Sequence, residues 1–247
     1  MEQKSGIIVV TGASRGIGAE IVVALARHGY RVACLSRKGE LPAGLDAAAA
    51  ARCIAAQCDV TDRDSLRAAM DKVAAAGSIT GLVNNAGVHM YGPSASFPLE
   101  DYHKIMQTNV AGVFIACQEA YPRLKQAGGG LIVNIGSFFD KMGVKQNLVY
   151  CASKAAVGAL TRCLAVEWAG AGIRVVNVAP GYIVTDINLD TMEPGNPLRA
   201  YLDKRIPVGR PGTVADVAGM VAALYLHDLP FLTGETIYID GAQGIAH

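Results

Sequence analysis

A chain of 247 residues, 51% hydrophobic and 17% charged, carries enough apolar mass to bury a large core. Its formal net charge of +1 gives no electrostatic reason to bind nucleic acid or an anionic membrane surface, so small molecules are the expected partners. Cys34, Cys53, Cys58, Cys117, Cys151 and Cys163 make no CxxC pair and no Cys/His spacing suited to zinc. They read as reduced core thiols, and no metal is expected. No apolar stretch approaches about 18 residues and no Asn-x-Ser/Thr sequon occurs, which makes the cytoplasm the default location.

In chain order, "IIVVT" at 7–11 reads as a buried strand and runs into "TGASRGIG" at 11–18, after which a helical pattern begins. Further buried runs follow at "RVACLS" (31–36), "RCIAAQ" (52–57), "ITGLVNN" (79–85), "LIVNIG" (131–136), "IRVVNVAP" (173–180) and "ETIYID" (235–240). Helical patterns fill most gaps, the longest at about 101–126 and 149–169. The exception is 37–52, where Pro42 and Gly44 leave room only for a short Ala-rich helix. Strands alternating with helices imply an α/β, doubly wound, Rossmann-type fold: a parallel sheet of about seven strands with helices on both faces. No linker or repeat interrupts the pattern, so 1–247 is expected to form a single domain, with 186–206 and its two prolines as a lid.

Gly12, Gly16 and Gly18 lie between the first strand and the first helix. In a dinucleotide site such glycines allow a tight turn, close approach of backbone to a pyrophosphate, and close helix–strand packing. The helix N-terminus then faces the anion. Further on, Tyr150 and Lys154 stand four apart in a helical stretch, which puts them on one face. An ammonium beside a phenol favours phenolate and makes the phenol a usable proton donor and acceptor. An isolated pair of this kind is more simply a surface tyrosine beside an extended lysine, so the surrounding motifs must decide.

Those motifs carry a resemblance. "TGASRGIG", "NNAG" (84–87), Asn109 in "QTNVAG", Ser137 in "NIGS", "YCASK" (150–154) and "APGYIVT" (179–185), with thirteen residues from Ser137 to Tyr150, together resemble the short-chain dehydrogenase/reductase family across nearly the whole chain. The resemblance implies catalytic roles for Asn109, Ser137, Tyr150 and Lys154. Tyr150 would transfer a proton to the substrate oxygen as hydride moves to or from nicotinamide, Lys154 would lower the phenol's pKa and hold the nicotinamide ribose, and Ser137 would hydrogen-bond the developing alkoxide. Asn109 would make a bend that anchors a water leading protons to Lys154. The implied cofactor contacts are Gly12, Ser14, Arg15, Gly16, Ile17 and Gly18, then Asp59 and Val60 at the adenine, and Asn85, Ala86 and Gly87 beneath the adenosine. Tyr150, Lys154, Pro180, Gly181, Ile183 and Thr185 complete the set.

Where an NAD site usually offers a carboxylate to the ribose 2′-hydroxyl, this chain has Ser36, Arg37 and Lys38. An arginine binds a 2′-phosphate that a carboxylate would repel, and Arg15 can reach it from the glycine loop, so NADP(H) is the expected cofactor. Phe138, Phe139, Met142, His89, Tyr91 and Tyr182 suggest a partly aromatic substrate pocket. Among relatives of this type, 3-oxoacyl-carrier-protein reductases dock an acidic carrier through two arginines. Leu131 and Ala171 occupy those places here, with Arg123, Lys125 and Arg174 near, which puts a general ketone or polyol oxidoreductase ahead of carrier reduction. A non-catalytic cofactor-sensing protein is a further alternative. The apolar circumference of 149–169 and of "VAGVFIACQEA" leaves a face that a second subunit would cover, implying a dimer or tetramer.

Overall fold

The computed structural model describes residues 6–186 and 188–246. Its elements are β1 (Ile7–Thr11), α1 (Gly16–Arg27), β2 (Arg31–Ser36), α2 (Ala47–Ala50), β3 (Cys53–Gln57), α3 (Arg63–Ala76) and β4 (Ile79–Asn84). They continue with α4 (Leu99–Met106), α5 (Gly112–Gln126), β5 (Gly130–Ile135), α6 (Leu148–Trp168), β6 (Ile173–Pro180) and β7 (Ile183–Val184). The last are α7 (Leu189–Met192), α8 (Pro197–Arg205), β8 (Gly212–Thr213), α9 (Val214–Leu226) and β9 (Thr236–Ile239). Seven strands form one parallel sheet in the order β3-β2-β1-β4-β5-β6-β9, and β7 pairs separately with β8.

Side chains alternate across the pleat, so each strand feeds two cores. Ile7 and Val9 join Leu66, Met70, Ala116, Leu124 and Val157 beneath α3, α5 and α6. Ile8 and Val10 join Ile21, Leu25, Val217 and Val221 beneath α1 and α9. The doubly wound expectation is therefore met, and the strand order reverses between β1 and β4. Such a switch point opens a crevice at the carboxyl ends of the strands.

A buried polar row fixes α6 over the sheet. Asn84 and Asn134 stand opposite each other on β4 and β5. Asn84 Nδ2 donates to Asn134 Oδ1 (2.9 Å), and Asn134 Nδ2 donates to Thr161 Oγ1 on α6 (2.9 Å). With the middle of α6 pinned there, its first turns, carrying Tyr150 and Lys154, lie at the carboxyl ends of β4 and β5.

Three sequence expectations need correction. The pattern at 101–126 is not one helix: α4 and α5 are joined by a π-helical turn over Gln107–Ala111. By length and composition α6 with the turn after it, Leu148–Ala171, would suffice to cross a membrane, against the expectation that no apolar stretch approaches about 18 residues. It packs against β6, and Val157, Thr161, Leu164 and Lys154 are buried, so it is a core helix. Cys34, Cys58 and Cys117 are core thiols as expected, but Cys53 and Cys151 are half-buried and Cys163 is exposed. The stunted helix after β2 is found: α2 is a single turn, capped by Asp46, whose carboxylate accepts from Ala49 N (2.8 Å).

Candidate active site

The glycine turn separates three physical demands. Gly12 has φ +65°, and a Cβ there would lie 2.8 Å from Ala86 Cα. Gly18 is packed so tightly that a Cβ would meet Gly12 O at 2.3 Å. Gly16 has φ +56° but faces open space, its nearest neighbour being Thr185 Cγ2 at 3.9 Å. The first two serve the turn and helix packing, and the third is the place where backbone can be approached from outside. Arg15 caps α1 without a side-chain hydrogen bond, and the first turn of α1 carries no acidic residue. That end of the helix suits an anion. Ser14 and Arg15 are exposed, and Ile17 is half-buried against the core.

The "NNAG" segment is sewn to this turn. Thr11 Oγ1 accepts from Asn85 N (3.1 Å) and Ala86 N (3.2 Å), while Asn85 Nδ2 donates to Thr11 O (3.1 Å) and Gly12 O (3.0 Å). Gly87 lies beside the catalytic candidates, since a Cβ there would be 3.3 Å from Asn109 Oδ1 and 3.8 Å from Lys154 Nζ.

At the end of β2, Ser36 is buried and its hydroxyl accepts from Gly39 N (3.1 Å), whereas Arg37 is exposed. Positions 36–38 themselves carry no carboxylate. Asp59, at the end of β3, is held below the usual carboxylate range chiefly by Thr61, whose N and Oγ1 donate to Oδ1 (2.9 and 2.7 Å), and also by the charge of Arg37. Val60 packs onto the start of α5, where a Cβ on Gly112 would meet its Cγ2 at 3.1 Å.

Asn109, Ser137, Tyr150 and Lys154 come from α5's π turn, the end of β5 and α6. The π turn turns the Asn109 amide inward, and such bulges are frequent at functional sites. Asn109 Oδ1 accepts from Val88 N (2.8 Å), and its Nδ2 donates to Val88 O (2.9 Å) and Ser153 Oγ (3.2 Å). Its side chain therefore clamps backbone beside the site. Lys154 is buried and Nζ donates to Ile135 O (2.8 Å). Burial lowers its pKa to about 8.

Tyr150 is half-buried, and burial pushes its phenol up to about 12 against the opposing pull of a hydrogen bond with Ser137. Lys154 does not lower the phenol in this structure. Its Nζ is turned to the Ile135 carbonyl and sits 5.7 Å from the Tyr150 ring centroid.

Phe138 and Phe139 follow Ser137 and are mostly buried; Phe138 backs the site, while Phe139 also lines an open cavity with Met142, Gln146 and Cys151. Phe139 meets Tyr150 and Tyr182 edge-on at 6.0 and 5.9 Å between centroids. Tyr91 is largely exposed. His89 lies 4.5 Å from the Tyr150 ring between centroids. Its partner Asn147, 2.7 Å away, went unread in the sequence because nothing in an exposed loop marks which side chains will pair. On the far side, Gly181 N donates to Ile239 O (2.9 Å), Ile183 is buried, and Thr185 is held by Asn188, whose Oδ1 accepts from Thr185 N (2.8 Å). Pro180 ends β6, so "APGYIVT" brings Thr185 opposite Gly16.

A family model described as enoyl-(acyl carrier protein) reductase matches residues 12–242. D-threitol dehydrogenase of Mycolicibacterium smegmatis is 36% identical over 252 residues, covering 97% of this chain and 93% of that protein. The 3-oxoacyl-[acyl-carrier-protein] reductase FabG of Staphylococcus aureus is 35% identical over 240 residues, covering 95% and 96%. The crystal structure of a gluconate 5-dehydrogenase from Burkholderia cenocepacia in complex with NADP and tartrate superposes with a TM-score of 0.86 at 30% identity, covering 99% of this chain and 98% of that one. With its glycine turn, switch-point crevice and near full-length matches, this chain belongs to the short-chain dehydrogenase/reductase family of oxidoreductases.

Proposed function

We propose that the protein is an NADP(H)-dependent oxidoreductase interconverting a ketone and a secondary alcohol, with Tyr150 as general acid and base. The observation that carries this reading is the convergence of a Ser137-bonded phenol and a buried ammonium, one helical turn apart, at the carboxyl end of β5. The bound nicotinamide supplies or takes the hydride. Ser137 and Tyr150 hold the substrate oxygen, and Tyr150 gives it a proton during reduction. Lys154, turned to the Ile135 carbonyl in this structure, would stabilise the phenolate left behind by swinging its ammonium toward it and is placed to hold a ribose hydroxyl, while Asn109 keeps Val88 and the adjoining loop in position. The glycine turn, Asn85, Ala86, Gly87 and 180–185 form the cofactor cradle, with α7 and α8 as the substrate lid of a single domain. Intact Tyr150 and Lys154 argue against a non-catalytic sensor.

Relatives named for D-threitol and gluconate support a polyhydroxylated substrate. The relative named FabG supports carrier-bound reduction as a second reading. Against it, Arg123 is taken up by Asp71 and Glu119, and Arg174 Nη1 donates to Leu229 O (2.8 Å). Arg123 is thereby paired with carboxylates, whereas Arg174 keeps its charge unpaired and could still meet an acidic carrier. We also propose a homo-oligomer, because Val110, Phe114 and Leu160 line an open groove of about 590 Å³ across α4, α5 and α6. Light scattering at micromolar concentration should give a dimer or tetramer, and a monomer would refute this assembly.

Tyr150→Phe removes the transferable proton and keeps the ring. It should nearly abolish turnover of ketones and alcohols while leaving cofactor affinity close to that of the wild type. Full activity in that variant would sink the assignment.

The pH dependence has a definite sign. Reduction needs the phenol protonated, which holds up to about 12, and the Lys154 ammonium charged, which holds only up to about 8. The rate of ketone reduction should therefore fall as pH rises through about 8, well below the phenol's own titration. A flat profile to pH 10 would place the lysine outside the chemistry.

Arg15 and Arg37, with no carboxylate at positions 36–38, should favour NADPH over NADH by at least about 1.4 kcal/mol, or tenfold in affinity. Arg37→Asp should reverse the preference by repelling the 2′-phosphate and accepting from a 2′-hydroxyl. Titrations at matched ionic strength check this, and equal affinities in the wild type would show that the arginines do not engage the phosphate.

A further inference from the structure

The loop after "NNAG" and the loop before α6 are joined beside Tyr150 by two contacts. Gly92 N donates to Gln146 O (2.9 Å), and His89 Nε2 lies 2.7 Å from Asn147 Oδ1. Gln146 takes a left-handed backbone, φ +65°, to make this junction, one of two non-glycine residues among those described to do so. A strained residue of this kind persists where surrounding contacts over-determine it.

The protonation pattern at this junction follows from chemistry. A backbone carbonyl can only accept, and Asn147 Nδ2 is bonded to Lys145 O (2.9 Å), so the amide oxygen must face His89. An amide oxygen can only accept as well, so His89 Nε2 must carry a hydrogen and donate it. In the neutral ring Nδ1 is then left with a lone pair. Nδ1 has no partner among the described residues, the ring is exposed, and its centroid is 4.5 Å from that of Tyr150. An acceptor held in one tautomer beside the proton-transferring group is suited to read a hydroxyl.

We propose that His89 is a specificity-determining residue whose Nδ1 accepts a hydrogen bond from a substrate hydroxyl on a carbon neighbouring the reacting one, selecting α-hydroxy ketones and vicinal diols over their deoxy counterparts. The proposal rests on the oxidoreductase reading of the site and narrows its substrate class. Asn147 acts through His89 as a positioning residue.

The two amide isosteres of histidine separate this role from simple packing. His89→Gln reaches the Nε2 position and keeps a donor for Asn147 but offers no acceptor at Nδ1. His89→Asn keeps an acceptor near the Nδ1 position and gives up Nε2. With both nicotinamide cofactors supplied, kcat/KM is measured for ketone pairs that differ only by a hydroxyl on the carbon next to the carbonyl. The wild type should prefer the hydroxylated member about fivefold or more, the value of one neutral hydrogen bond. His89→Gln should lose that preference while retaining turnover of the deoxy ketone, and His89→Asn should keep part of it. Equal losses on both members of a pair in either variant, or no preference in the wild type, would overturn the role of His89. No turnover of any pair by the wild type would instead refute the oxidoreductase reading on which it rests.

Discussion

A buried ammonium is the constraint around which the site is arranged. Lys154 sits in the face of α6 that covers the sheet, with one backbone carbonyl, that of Ile135, as its hydrogen-bond acceptor. Burial depresses its pKa from 10.5 to about 8, a cost on the order of a few kcal/mol relative to a solvated lysine. Between those values the unfolded chain binds a proton that the folded chain does not. The stability contributed by this group is therefore lowest below about pH 8 and rises as pH climbs through that window. A residue kept at such expense in a core helix needs a purpose that packing does not supply. An ammonium that is poorly solvated interacts more strongly with an anion formed near it, and the Tyr150 ring centroid lies 5.7 Å from its Nζ.

The same economy of polar groups organises the crevice floor. Thr11 ends β1, and its one hydroxyl accepts from two successive amides of the "NNAG" segment, while Asn85 answers with two bonds to the Thr11 and Gly12 carbonyls. Two loops that leave adjacent parallel strands would otherwise turn unpaired backbone groups into the switch point. Pairing them with each other leaves α1's first turn and the open side of Gly16 as the unfilled part of the turn. An anion would then meet the amides that remain free at that end of α1 rather than those already paired.

How much of this was legible in the chain depends on whether the signal was local. Strands such as "IIVVT" and "IRVVNVAP" announce themselves because a parallel strand is apolar on both faces. The short α2 follows from Pro42 and Gly44. Tyr150 and Lys154 were readable because a helix fixes the i, i+4 relation. What the lysine would do was less readable, because its direction depends on the Ile135 carbonyl, nineteen residues away. The π turn at Gln107–Ala111 was hidden for a similar reason. Asparagine and threonine lower helix propensity without saying how a helix will accommodate an inward-turned amide. The β7–β8 pair joins residues nearly thirty apart in two-residue strands too short to carry a period.

Specificity is where local signal ran out, and the packing explains why. Phe138 and Phe139 look in sequence like the walls of an aromatic pocket, yet they are spent on backing Tyr150 and Tyr182, at centroid distances of 5.7 to 6.0 Å. Phe138 buried in that way presents no face to a substrate, and Phe139 offers only the part that lines the cavity beside Met142. Discrimination would then fall mainly to groups on the open side, His89, Tyr91 and Met142, and to the α7–α8 segment, whose Met192, Leu202 and Ile206 pack together beside Tyr182. Tyr91 is too exposed to exclude water, and a thioether offers only a weak acceptor. Of the three, only the imidazole has its hydrogen-bonding sense fixed by a neighbour. A rigid backing layer with one oriented acceptor on its open side would let this family's proton-transfer machinery stay unchanged while a single side chain sets which substrates are turned over.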